Sequence, residues 1–192
     1  MGQARQPQPV LLVVAVFSRH APALAWAEAE LQRLYGPVGF ASLPFEFTQT
    51  RYYEQTMGAG LRKQFLAFGL VPADSLAAVK RQTDALEMRL ATSGTYPETR
   101  PLNLDPGILS LGKFLLATTK DQSHRVYLKD GIFAEVTLRY QAKTFEPWPW
   151  TYADYRQPAI LSFFNQARVY YRGLLREHSE RAQHVHQHPA RD

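Results

Sequence analysis

Residues 10–17 read VLLVVAVF, eight apolar residues with no polar interruption. The β-branched valines crowd a helix but pack well on a pleated strand, and a run this short and this apolar reads as a buried strand. A chain that opens this way must assemble a sheet around its first strand. The same run, with Arg5 before it and the small-residue segment APALA after it, also imitates a secretory signal. Arg19 and His20 interrupt the apolar stretch before any cleavage site, so the strand is the preferred reading. No apolar run is long enough to span a bilayer. The expected location is cytoplasmic, with no membrane partner.

The rest of the first half alternates helix and strand signals. Leu24, Ala27, Leu31 and Leu34 recur at helical spacing, and Gly36-Pro37 ends that helix. FASLPFEF is extended, with Pro44 marking a bulge or an edge, and LRKQFLAF is a further strand candidate. A second helix opens near Pro72 and carries Leu76, Val79, Thr83, Leu86 and Leu90 inward. SGTYPETRPLNLDPG then reads as a loop of about fifteen residues, a length that points to function or disorder. The order β-α-β-β-α is the start of a ferredoxin-like split unit.

The second half is mostly strand. HRVYLKDGIFAEVTLRY is a hairpin. A two-residue Asp130-Gly131 turn would pair Val126 with Glu135 and Arg125 with Val136, mixing polar and apolar residues on both faces. A three-residue turn, Lys129 to Gly131, pairs Val126 with Ala134 and Leu128 with Ile132. It places His124, Val126, Leu128, Ile132, Ala134, Val136 and Leu138 on one face. Arg125 and Glu135 become cross-strand partners on the other. LGKFLLATT is a third strand of this meander. A helix from about Pro158 turns Ile160, Phe163, Phe164, Ala167, Tyr170 and Leu174 inward.

Gly107, Gly112 and Lys113 fit G-x-x-x-x-G-K, most of a phosphate-binding loop signature. Three of its four variable positions (Ile108, Leu109 and Leu111) are bulky and apolar, and Phe114 stands where the magnesium-binding hydroxyl belongs. The spacing is read as coincidental: a turn after Asp105 feeding the strand that contains Lys113. The segments RYYEQTMGAGL, NLDPGILSLGKFLLATTKDQSHRVYL, GIFAEVTL and FEPWPWTYADYR resemble the prokaryotic domain of unknown function 4416 family, over roughly Pro9 to Arg176. The resemblance implies a single stand-alone domain and brings no established activity. Some members are described as GTP-binding, which the G-x-x-x-x-G-K spacing would account for.

The chain has no cysteine, which excludes disulfides, thiol nucleophiles and cysteine metal sites. Its net charge of +5 is dispersed, which suits an anionic ligand better than a nucleic-acid footprint. The densest polar cluster is TTKDQSHR, Thr118 to Arg125. There Lys120 and Arg125, with Lys113 nearby, are candidates to hold an anion, and Asp121, His124 and Glu135 to move a proton. The bland reading is a polar turn with His124 satisfied in the core. In TQTRYYEQTMGAGLRK, Gly58 and Gly60 permit close backbone approach, Arg62 and Lys63 supply charge, and Tyr52 and Tyr53 offer stacking surfaces. The bland reading there is a flexible loop. Trp148, Trp150, Tyr152 and Tyr155 form either a stacking platform or an aromatic cover over the sheet. The tail histidines, His178, His184, His186 and His188, lack acidic or cysteine partners at ligand spacing.

The resulting expectation is one α+β domain over residues 9–176, between a flexible arm (1–8) and a flexible tail (177–192). Its sheet has about six to seven antiparallel or mixed strands, with three helices mainly on one face. Its expected function is binding of a small anionic, phosphorylated ligand, with room for acid–base or hydrolytic chemistry. The rival is a non-catalytic module for RNA or a protein partner. The cofactor is left unknown. If the two polar loops serve one ligand, Tyr53 or Arg62 should approach Lys120 or Arg125 across a shared cleft.

Overall fold

Strand β1 (Val10–Ser18) is buried along its whole length. In the computed structural model, which describes residues 2–50 and 52–187, it runs antiparallel between β4 (Arg62–Val71) and β5 (Asn103–Leu109). Its two faces feed two separate cores. Leu11, Val13 and Ala15 meet Phe65 and Ala67 of β4, and Ile160, Phe163, Phe164 and Ala167 of the long helix α4 (Pro158–Gln187). Leu12, Val14 and Val16 meet Ala23, Ala27 and Leu31 of α1 (Ala21–Tyr35), with Val79, Leu86 and Leu90 of α3 (Leu76–Ala91). An all-apolar strand requires this sandwich, because neither of its faces can be left to water. The expectation of helices mainly on one face is corrected accordingly. Leu34, expected inward on α1, is 40% exposed.

The sheet has nine strands in the described residues, all its pairs antiparallel, more than the six or seven expected. Short β2 (Phe40–Ala41) and β3 (Phe45–Glu46) both pair with β4, on either side of Pro44. The path then runs β2-β4-β1-β5, continuing through β6 (Lys113–Thr118) and β8 (Ile132–Gln141) to β7 (Val126–Lys129). Strand β9 (Thr144–Pro147) pairs with β8. With α1 and α3 on one face, β1, α1, β2, β4, α3 and β5 complete a β-α-β-β-α-β split unit. A four-residue helix, α2 (Glu54–Met57), interrupts it before β4.

The strand that completes the unit is the segment read above as a loop. Within LNLDPGIL, Leu102, Leu104 and Ile108 point to the α1/α3 side, while Asn103 and Asp105 alternate to the α4 side. Pro106 has no N–H to offer, and the ladder to β6 covers only Gly107 to Leu109. Gly107 is required by packing: a Cβ there would stand 2.3 Å from Phe114 Cζ and 2.5 Å from the Leu115 carbonyl oxygen. That glycine serves a strand crossing and belongs to no phosphate loop.

The hairpin keeps the expected pairs Val126–Ala134 and Tyr127–Phe133, but a bulge at Leu128 brings Lys129 opposite Ile132. The turn is therefore Asp130-Gly131, both at positive φ (55° and 76°). The bulge reconciles the two-residue turn with the apolar register. A second irregularity opposite Phe114 and Leu115 turns Leu138 to the α4 side, away from Ile132 and Ala134. The shared face expected for these residues is corrected at Leu138, while Val126 keeps its place opposite Ala134 but, on an edge strand, is 68% exposed. Helix α4 continues to Gln187. The side chains of His184 and His186, and all of His188, lie outside the described residues. Among the described residues no helix is long and apolar enough to cross a membrane.

Candidate functional site

Helix α4 covers the α4-side face of the sheet only in part. Where it begins, after a 3₁₀ turn (Ala153–Arg156), the ends of β4, β5 and β6 remain uncovered by it. A cavity of about 440 Å³ occupies this end, lined by Phe47, Thr50, Tyr52 and Tyr53 from one loop, Thr118, Lys120 and Arg125 from the other, and the segment Tyr152–Tyr155. The two polar loops, far apart in sequence, share it. Their direct link is Lys120, whose Nζ donates to the Tyr52 hydroxyl at 3.0 Å and stands 4.6 Å from the centre of that ring. Tyr53 also lines the cavity, as the shared-cleft expectation required of its loop; the residue that touches Lys120 is its neighbour. The Lys120 contact holds the Tyr52 phenol below its usual pKa.

Arg125 is locked in place. Its Nε donates to Glu135 Oε2 at 2.9 Å, one Nη to the Lys120 carbonyl at 2.9 Å and the other to the Tyr152 hydroxyl at 2.8 Å. The Arg125 and Glu135 side chains are 2% and 1% exposed, so the expected ion pair exists and is buried. Glu135 is also met by His124 Nε2 at 3.2 Å and by the Thr137 hydroxyl at 3.3 Å. His124, expected on the apolar face, instead stacks on Trp150 beside Glu135 and outside the cavity lining. Of the other candidates, Asp121 is exposed in the loop, Arg62 is exposed on β4 opposite Glu46, and Lys113 is exposed opposite Arg139 at the far end of β6. None of these three lines the cavity. Burial decides this: each sits where its charge reaches water.

The cavity wall also contains Lys63, read above with Arg62 as a source of charge, and residues outside the expected set such as Lys80, Asn103, Asp105 and Asp154. Lys63, on the inward face of β4, places Nζ 2.6 Å from Asp154 Oδ2, with both side chains almost fully buried. The rings of Phe17, Phe47, Phe65 and Tyr155 surround that ammonium at 4.9–5.4 Å. Lys80 comes from α3, on the opposite face of the sheet, and donates to the Leu104 carbonyl at 3.2 Å. It reaches the cavity where β5 and β6 are no longer paired. Burial works against its charge, but Asp105, Glu87 and Asp84 overcome this and raise its pKa. Burial raises the Glu87 pKa despite Lys80 and Arg100 nearby.

Two buried groups on the wall have no hydrogen-bond partner among the described residues: Asn103 Nδ2 and the Tyr155 hydroxyl. Arg100 occupies the Asn103 amide oxygen, which leaves the NH₂ as the unpaired end. Desolvation holds the Tyr155 phenol well above its ordinary pKa, and that of Tyr53 and Tyr152 above theirs. The alternation in LNLDPGIL was the signal that could have exposed Asn103 and Asp105; the Asp-Pro-Gly turn signature masked it.

Gly107, Gly112 and Lys113 lie on β5, in the turn after it and at the start of β6, away from the cavity. GTP should therefore not bind through them. Calorimetry checks this: magnesium-dependent micromolar affinity that disappears in Lys113→Ala would contradict it. Among the described residues no group of three or more histidine, aspartate or glutamate side chains could hold a metal ion. Comparison with curated proteins and with solved structures returned no match. A family model does match, over residues 8–171 and thus most of the chain, and the protein belongs to that family: domain of unknown function (DUF4416).

Proposed function

We propose that this cavity binds a small anionic molecule, a phosphorylated one being the best fit to its cations. The observation that carries the reading is the convergence of two loops, joined by Lys120 and Tyr52, on a concave site of ligand size. Lys120 has no carboxylate partner among the described residues, whereas Arg100, which also lines the cavity, is engaged by Glu87 at 3.0 Å. Arg125 and Lys63 are engaged by Glu135 and Asp154 and act as framework. A concave wall with inward polar groups favours a small molecule over RNA, which would need an exposed stacking surface along a basic groove. Acid–base or hydrolytic chemistry is the enzymatic extension of this reading. Its proton-handling group should be one that the fold leaves unpaired, which Glu135 is not.

Calorimetric titration with inorganic phosphate and phosphate monoesters tests the reading. Lys120→Ala should weaken binding about tenfold, the cost of a charge-assisted hydrogen bond. Affinity unchanged by Lys120→Ala would refute the assignment of the anion to this loop.

A further inference from the structure

We infer that the inner wall of the cavity recognises neighbouring hydroxyl groups, so that its ligand is a hydroxylated phosphate ester of the sugar-phosphate class. This rests on the anion-binding reading above and deepens it. Three groups define the inner wall. Asn103 and Tyr155 are 1% and 2% exposed, and each carries an unpaired buried polar atom. Asp105 lies two residues along the same strand face from Asn103 and lines the cavity; its carboxylate makes no hydrogen bond among the described residues and interacts with Lys80 only through its charge. Asp105 needs a donor, Asn103 Nδ2 needs an acceptor, and the tyrosine hydroxyl takes either role.

A hydroxyl both donates and accepts, so two or three adjacent hydroxyls satisfy all three groups. An ammonium would satisfy Asp105 but offer nothing to Asn103 Nδ2, and it would meet the positive charge of Lys80, which interacts with Asp105. A phosphate would satisfy Asn103 but be repelled by Asp105. The anionic end of the ligand is thereby directed outward, to exposed Lys120, and the hydroxylated end inward. Leaving buried polar atoms unpaired is costly, so a ligand that pairs them gains both affinity and selectivity.

The test compares inorganic phosphate, O-phosphoethanolamine and ribose 5-phosphate by calorimetry on the full chain. Ribose 5-phosphate should bind at least about tenfold tighter than either of the others, as expected for a charged hydrogen bond plus neutral ones. Asp105→Asn should weaken ribose 5-phosphate about tenfold and leave inorganic phosphate no weaker, since the variant removes a repelling charge. Tyr155→Phe should lower ribose 5-phosphate affinity while keeping or raising the melting temperature, because the lost hydroxyl has no partner among the described residues. If Asp105→Asn fails to fold by circular dichroism, the Tyr155→Phe comparison decides. Equal affinity for phosphate and ribose 5-phosphate, tightest binding of phosphoethanolamine, or an unchanged preference in the folded variants would overturn the hydroxyl assignment only. Failure of all three probes to bind would overturn the anion reading, and this inference with it.

Discussion

Alanine in place of Arg125 should lower the free energy of unfolding by about 3–5 kcal/mol, because Glu135 would be left charged and buried beside only His124 and Thr137. The double variant Arg125→Met with Glu135→Leu should recover most of that loss, since an apolar pair incurs no desolvation cost for the charges. Urea denaturation of the two variants beside the parent checks both statements. A loss below about 1 kcal/mol for Arg125→Ala would mean that the pair behaves like a surface one. The same substitution should loosen the cavity. Arg125 also holds the Lys120 carbonyl and the Tyr152 hydroxyl, so phosphate binding should weaken in a folded Arg125→Lys variant, whose single ammonium cannot reproduce the three-way geometry.

Asp154→Ala should cost a similar amount, about 3–5 kcal/mol, by stranding the Lys63 ammonium. Four aromatic rings around Nζ offset part of the desolvation but supply no acceptor in place of Oδ2 at 2.6 Å. Lys63→Met should be milder than Asp154→Ala. Asp154 lies in the 3₁₀ turn before α4, where water can reach a displaced carboxylate more easily than it can reach the middle of the cage. Chemical unfolding curves rank the two. If Lys63→Met proves the more damaging, the stranded Asp154 carboxylate, together with the lost ring contacts, costs more than a stranded ammonium inside the cage.

How much of this was legible beforehand differs by residue, for physical reasons. The buried strand at Val10, the helices read from Leu31 and Leu86, and the pairing of Arg125 with Glu135 all follow from periodicity, which is local. Asn103 and Asp105 were hidden because Asp-Pro-Gly carries the chemistry of a turn. Only pairing with β1 on one side, and the end of the β6 ladder on the other, makes Pro106 tolerable in a strand. Leu128 misled in the opposite direction: alternation alone required a three-residue turn, and the bulge absorbed the extra residue.

The sequence by itself determined the α+β class, the split β-α-β-β-α order and the two polar loops, because periodicity and turn chemistry act over a few residues. Tertiary structure alone decided which charges belong together. Lys63 and Asp154 are 91 residues apart, Lys120 and Tyr52 are 68 apart, and Lys80 arrives from the far side of the sheet. A charged side chain has the same local signature whether it ends in water or in a cavity. The burial that separates Lys113 from Lys63 exists only once the strands have paired and α4 has covered one part of the sheet and left another open.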